Sequence, residues 1–407
     1  MNYDKYGLNT MIQHTPIFST HEHHREDDFH TKLNLDEVLR NSYVGWLSPG
    51  HYMSQSSVPG DSEIERKRWL DTVRTNSYFV WLEKSINKIY QFEEINEKNW
   101  DDISETISKS HQDPSFHLDI LEKEAKYKRF VVDYYWDPGH NLSHPDYVSS
   151  AYRMDSWLFG FHSECAGDHE NVNPRDISDE DMKDLDAYED AIRSELDKKK
   201  EEVVAFKCTA AYSRSLSFAR TKRSIAEKIF GRHPDQVSEE EKMAFSNYMF
   251  HFFLEVARER DLPIQIHTGL GKISGSNPML LEPVIANNPD VKFVLFHGGF
   301  PWIYETAGLA HNYKNVYLDI NWLPLISTKA AEIALHTYLE VIPSNSHISW
   351  GGDNWTSEES VGASMAFRHV VTKVLNDKID NSFYRLKDAE DLIEKLFFRN
   401  AEELYIR

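Results

Sequence analysis

At 407 residues the chain is long enough for one large barrel or two to three ordinary domains, and its 45 basic against 66 acidic side chains give a formal charge of -21 that argues against a nucleic-acid backbone or an anionic membrane as partner. Its two cysteines, Cys165 and Cys208, are too few for a disulfide framework or a Cys-rich zinc module and suit a reducing compartment. No stretch reaches the roughly 18 apolar residues of a membrane span, and the opening MNYDKYGLNTMIQHTP lacks the basic and apolar regions of a signal peptide, so the cytoplasm is the expected location.

The first predicted strand is TPIFSTH, and it runs into FSTHEHHRED, where three histidines fall within four positions. On an extended strand His21 and His23 share a face and His24 points the other way, so two imidazoles could share one ion; a solvated charged loop is the alternative. Residues 32 to 126 then read as a long, mostly helical insertion containing LNLDEVLRNSYVGWL, ERKRWLDTVRTNSYFVWLEKSINKIY and a polar EEINEKNWDDISETI segment. An insertion at that end of a barrel suits a lid.

Strand-like runs resume with KRFVVDYYW near 128 and YRMDSWLFG near 152, the least strand-like of the set. The acidic stretch from 169 to 202 reads as a solvated loop and helix without chemistry of its own. EVVAFKC near 202 is the fourth run. A helix follows in SEEEKMAFSNYMFHFFLEVARERD, where Ser238 and Glu241 match a capping box and Phe245, Met249, Phe252 and Val256 recur every three or four residues. The remaining runs are LPIQIHTG near 262, VKFVLFHGG near 291, NVYLDINW near 315 and HISWGGD near 347. Eight strands alternating with helices predict an α/β fold, a (β/α)8 TIM barrel with a long helical insertion after the first strand, forming a single domain over residues 1–407.

In such a barrel chemistry gathers at the C-terminal strand ends. There the runs carry His21 and His23, Lys207, His267, His297 and Asp353, a mixed nitrogen and oxygen set that suits a divalent ion and zinc in particular. A lone histidine ending an apolar run is ordinary; the coincidence at several equivalent positions is not. The glycines of HTGLGKISGSNP match neither the dinucleotide fingerprint nor a phosphate loop, so no nucleotide is expected.

Taken together, STHEHH, VVAFKCTAAYSRSL, IQIHTGLG, VLFHGGFPW and WGGDNW resemble the amidohydrolase superfamily, and within it the family-2 branch of uronate-isomerase-like and FluG-like or nodulin-like proteins, over nearly the whole chain. The resemblance implies that His21, His23 and Asp353 bind one ion, and that His267 and His297 hold a second with a carboxylated Lys207 bridging the two. Many family members instead use one metal, held by the His-x-His pair, the fifth-strand histidine and the last aspartate, with the sixth-strand histidine in catalysis. Lys207 has two further readings, a cation for a substrate carboxylate or a structural lysine.

Tyr212 and Arg214 follow Lys207 closely, and an arginine fork suits a substrate carboxylate, a surface salt bridge being the alternative. Trp302, Trp322 and Trp355 are pocket walls or core, His24 a substrate contact or a solvated turn, and Asp319 a structural carboxylate. The expected activity is hydrolysis of an amide, lactone or ester C–N or C–O bond in a small, carboxylate-bearing molecule, with Asp353 carrying the proton of the attacking water. Aldose-ketose isomerisation of a uronate, decarboxylation, and a non-catalytic metal-binding barrel are the alternatives, and a homo-oligomer is open.

Overall fold

The computed structural model describes residues 5–47, 58–165 and 172–406. Eight strands lie in one sheet in sequence order: β1 Ile17–Glu22, β2 Tyr127–Val132, β3 Val148–Arg153, β4 Val203–Cys208, β5 Ile264–Ile266, β6 Phe293–Leu295, β7 Val316–Asp319 and β8 Ile348–Ser349. The pairings from β3 through β8 are all parallel. Helices follow every strand but β2, which reaches β3 through residues 133–147 without one, and the fold is a (β/α)8 barrel. The strands are buried along most of their length, which is why their sequences read as short apolar runs rather than as alternating ones.

By compactness the chain resolves into two interleaved units. The first comprises residues up to Phe130, Ile320–His336 and Trp350–Ala401. Its helices at Leu35–Arg40, Glu63–Val73, Ser77–Tyr90 and Trp100–Ser110 occupy the expected insertion, whose residues 48–57 lie outside the described residues. Each turns one stripe inward: Phe79, Leu82, Ile86 and Tyr90 from one helix meet Trp100, Ile103 and Ile107 from another, with Leu35, Val38, Leu39, Leu70 and Val73. Full burial of each such side chain stabilises the fold by about 1.5–3 kcal/mol, which fixes this helical layer far from β1 in sequence. Ser62 starts the second of these helices with a capping box to Glu65.

The second unit comprises Val131–Asp319, Thr337–Ser349 and the residues from Glu402. The register runs Phe206↔Ile264↔Phe293↔Val316, so β4 to β7 end at nearly one level. The long helix Glu239–Arg260 has the expected Ser238–Glu241 capping box and buries Phe245, Met249, Phe252 and Val256. The acidic stretch holds helices Pro174–Ile177 and Leu185–Lys198, the latter burying Leu185, Tyr188, Ala191, Ile192 and Leu196; its residues 169–171 lie outside the described residues.

One run divides differently from its sequence pattern. YRMDSWLFG contributes only its first residues to β3; Met154 turns αR and Asp155–Phe159 is helical, with Asp155 accepting from the Thr209 backbone N–H at 2.8 Å. Periodicity alone does not separate a short buried strand from a buried helical turn.

Candidate metal centre

In the first unit β1 delivers His21 at its end and His23 just beyond it, and both side chains are buried. The segment after β8 docks against them: the Asp353 N–H donates to the His21 carbonyl at 2.8 Å, and the His23 N–H to the Asn354 carbonyl at 2.8 Å. These bonds bring His21 Nε2 and His23 Nε2 to 3.4 and 3.1 Å from one oxygen, Asp353 Oδ1. Ligands on a tetrahedral zinc at about 2.0–2.1 Å stand about 3.3 Å apart, so these separations fit three donors of one ion. A cation or proton among them also offsets the repulsion between carboxylate and imidazole lone pairs. The residues present therefore fit a divalent metal.

Asp353 sits at φ 67°, in the left-handed region, and such strain in a non-glycine residue persists only where surroundings over-determine it. Glu22 supplies much of that constraint. Its buried carboxylate accepts from the N–H groups of Gly352 (3.1 Å) and Asn354 (2.9 Å), from Ser19 Oγ (2.7 Å) and from Tyr127 OH (2.7 Å). Burial pushes this carboxyl up to about 7, against the pull of those hydrogen bonds. A Cβ on Gly351 would stand 2.6 Å from the backbone nitrogen of His21, so the approach of the two segments requires glycine.

Tyr43, in the short helical turn Tyr43–Trp46, donates its O–H towards both Asp353 Oδ2 and the Asp353 carbonyl, each at 2.8 Å. Its own N–H is held by Glu359 Oε1 at 2.8 Å, and its ring stacks on Trp322 at 4.6 Å. Trp355 stacks on His23 with ring centroids 5.1 Å apart, and Trp322 and Trp355 are both buried. Sequence gave no sign of Tyr43, which belongs to the helical insertion.

The second unit places Lys207 in β4, His267 directly after β5 and His297 two residues beyond β6, all buried at C-terminal strand ends. His267 Nε2 bonds the Leu270 carbonyl, which only accepts, so that nitrogen carries the proton. His267 Nδ1 is then the acceptor for His297 Nε2–H at 2.8 Å. His297, like Asp353, has a positive φ, 61°. The Lys207 Nζ lies 4.1 Å over the Phe296 ring, and Tyr212 packs on His267 at 4.3 Å.

Arg214 is no surface salt bridge. It is buried, with its guanidinium donating to the carbonyls of Ser215 (3.0 Å) and Ser217 (3.0 Å) and to Asn247 Oδ1 (2.6 Å), so the protein's own oxygens occupy the fork. His24 is also no solvated turn: it is 1 % exposed and bonds Ser360 Oγ through Nε2 at 2.9 Å. Asp319 accepts from Ser349 Oγ at 2.8 Å, in keeping with a structural role. A buried ion pair escaped the sequence reading altogether: Arg153 meets Asp133 through two bonds of 3.1 and 2.5 Å. Asp133 lies inside the run KRFVVDYYW, and only the end of β2 at Val132 makes it a strand-end residue.

The amidohydrolase family model matches residues 175–407, more than half of the chain. Protein fluG of Emericella nidulans is 36% identical over 149 residues, 35% of this chain and 17% of that relative, so the match spans under a fifth of its length. Among solved structures, uronate isomerase from Thermotoga maritima superposes with a TM-score of 0.77 at 16% identity, covering 98% of this chain and 96% of that one. Glucuronate isomerase from Caulobacter crescentus gives 0.74 at 17% identity, covering 99% and 93%. Identities this low carry the fold alone. His21, His23 and Asp353 form a donor set fit for a divalent ion, and with more than half of its residues matched the chain belongs to the amidohydrolase family.

Proposed function

We propose that the protein hydrolyses an amide, lactone or ester C–N or C–O bond in a small, carboxylate-bearing molecule, with Asp353 as proton carrier. The observation that carries this is the convergence of His21 Nε2 and His23 Nε2 on Asp353 Oδ1. A divalent ion held by these three, zinc in this reading, supplies Lewis acidity that lowers the pKa of water and polarises a carbonyl. The other steps belong to the chain. Asp353 accepts the proton of the attacking water and returns it to the departing nitrogen or oxygen. Tyr43 restrains the carboxylate through its O–H on Oδ2, which sets the direction of that transfer. Trp355, flat against His23, limits water around the imidazole.

His267, His297 and Lys207 make the second donor set, with Lys207 carboxylated. Carbamate formation needs a neutral amine, and Lys207 is buried near the end of β4. We place the enzyme in the cytoplasm, as one barrel domain with the helices of residues 32–126 as its lid. No helix among the described residues is long and apolar enough to cross a membrane.

The test combines metal analysis with an activity panel of acyl amides, lactones, esters and uronates. Metal-dependent release of a carboxylic acid, lost in His21→Ala and His23→Ala together with the metal, is the expected outcome. Interconversion of a uronate without hydrolysis of any acyl substrate would replace this reading by isomerisation, the reaction named for the two solved neighbours. In the same samples Lys207→Gln is expected to lose one equivalent of metal; unchanged stoichiometry would reduce the centre to a single ion.

A further inference from the structure

A second group of histidines lies in the first unit, apart from His21 and His23 in what it bonds. The His30 and His117 rings are stacked at 3.9 Å and 3°, with His24 at 5.8 Å and His111 at 6.4 Å from His30. His24 and His30 are each 1 % exposed and His117 2 %, and one nitrogen from each of these three lies within 4.8 Å of the others.

Their remaining nitrogens are held from outside in a common way. His30 Nε2 bonds the Arg25 carbonyl at 3.2 Å, and a carbonyl only accepts, so Nε2 is protonated and Nδ1 keeps the lone pair. His117 Nε2 bonds Asp27 Oδ1 at 3.0 Å. His24 Nε2 bonds Ser360 Oγ at 2.9 Å; that hydroxyl donates to Glu22 Oε2 at 3.3 Å, so it accepts from His24 and again leaves Nδ1 unprotonated. The Nδ1 atoms of His24 and His30 are buried and have no hydrogen-bond partner. An imidazole whose far N–H is fixed by a carbonyl or hydroxyl, with its near nitrogen bare, as in His24 and His30, is the outer-shell arrangement of a metal-ligating histidine. Bare lone pairs buried side by side are otherwise costly.

We propose that His24, His30 and His117 form a second, structural metal site for a zinc-class divalent ion, distinct from the His21–His23–Asp353 centre. Three neutral nitrogens without a carboxylate or thiolate select zinc, copper, nickel or cobalt over magnesium and calcium. An ion lies in the plane of each imidazole that binds it, so one of the parallel His30 and His117 rings turns about its Cβ–Cγ bond on binding. Burial, aided by the neighbouring His117, holds the His30 imidazole well below its ordinary pKa, in the neutral form that ligates. The ion ties the segment after β1 to the short helix Asp27–His30 and the helix Phe116–Ile120, that is, to the helical layer.

The experiment counts zinc per chain after gel filtration in metal-free buffer, then adds Zn2+ alone and follows Tm. His21→Ala/His23→Ala is expected to hold one equivalent more than the quadruple variant that also carries His30→Gln/His117→Gln, and to gain stability on added zinc. His30→Gln/His117→Gln is expected to carry one equivalent fewer than the wild type, and the quadruple variant to show a smaller zinc-dependent rise in Tm than His21→Ala/His23→Ala. Equal zinc in wild type and His30→Gln/His117→Gln overturns the site. Should that variant fail to fold, anomalous scattering at the zinc edge from zinc-grown wild-type crystals decides: a peak between the three imidazoles supports it, and density only beside Asp353 rejects it. Neither result depends on which reaction the His21–His23–Asp353 centre performs.

Discussion

The first unit gathers two imidazoles around one carboxylate oxygen, whereas the second sets one imidazole against another and lays its lysine over an aromatic ring. The supports differ accordingly. Asp353 is held by Tyr43 and by backbone bonds to β1, with the buried Glu22 fixing the residues on either side, Gly352 and Asn354. His267 is held by a carbonyl of its own loop, a neutral acceptor. The first donor set thus carries a carboxylate, which suits a cation, while the second unit offers a hydrogen-bonded imidazole pair able to hold and pass a proton. A positive φ at a non-glycine residue occurs in both, at Asp353 and His297, as it does at seven other described residues.

The largest expected effect breaks the first set. Asp353→Asn keeps the shape but removes the base and weakens ligation, so kcat should fall about a hundredfold or more while KM moves less. Both constants, read with metal content in the same sample, check it. Near-normal turnover with metal retained would take Asp353 out of the chemistry and shift the proton role to the His267–His297 pair.

A smaller loss is expected from Tyr43→Phe, which leaves the ring stacked on Trp322 and removes only the O–H on Asp353. Partners of this outer kind are worth about 10–100-fold in metal affinity or activity. A zinc-competition titration beside kcat separates the two, and a change in neither would make Tyr43 a packing residue.

Tyr43 also shows where sequence stops being informative. The strand ends were legible because β1 and β4 to β8 are buried apolar runs whose next polar residue is forced to the barrel rim, so His21, His267, His297 and Asp353 stand out by position alone. Tyr43 precedes Asp353 by 310 residues and meets it only through the packing of the helical layer, which no local spacing encodes. His24 misled for a related reason: next to two exposed-looking histidines it reads as loop, yet the helices bearing His30 and His117 and the Ser357–Asp380 helix bearing Ser360 cover it. Arg214 had the right residue type at a plausible place. What its fork binds was decided by the return of the loop at residues 215–217 and by Asn247 on the long helix.

That last residue gives the smallest expected kinetic effect and the sharpest contrast with the catalytic set. Arg214→Met retains much of the apolar stem that packs on Phe218 while removing donors from three backbone carbonyls, those of Ser215, Ser217 and Met243, and from Asn247. Leaving such buried acceptors unmet costs about 1–3 kcal/mol, so the urea midpoint should fall without a change in slope. Because the guanidinium is spent on the protein itself, KM for a carboxylate substrate should stay within about twofold, a few tenths of a kcal/mol. A tenfold rise in KM with unchanged stability would reverse the assignment. It would mean that Arg214 leaves its carbonyls when substrate arrives, and that the second unit supplies the substrate's counter-charge as well as a proton path.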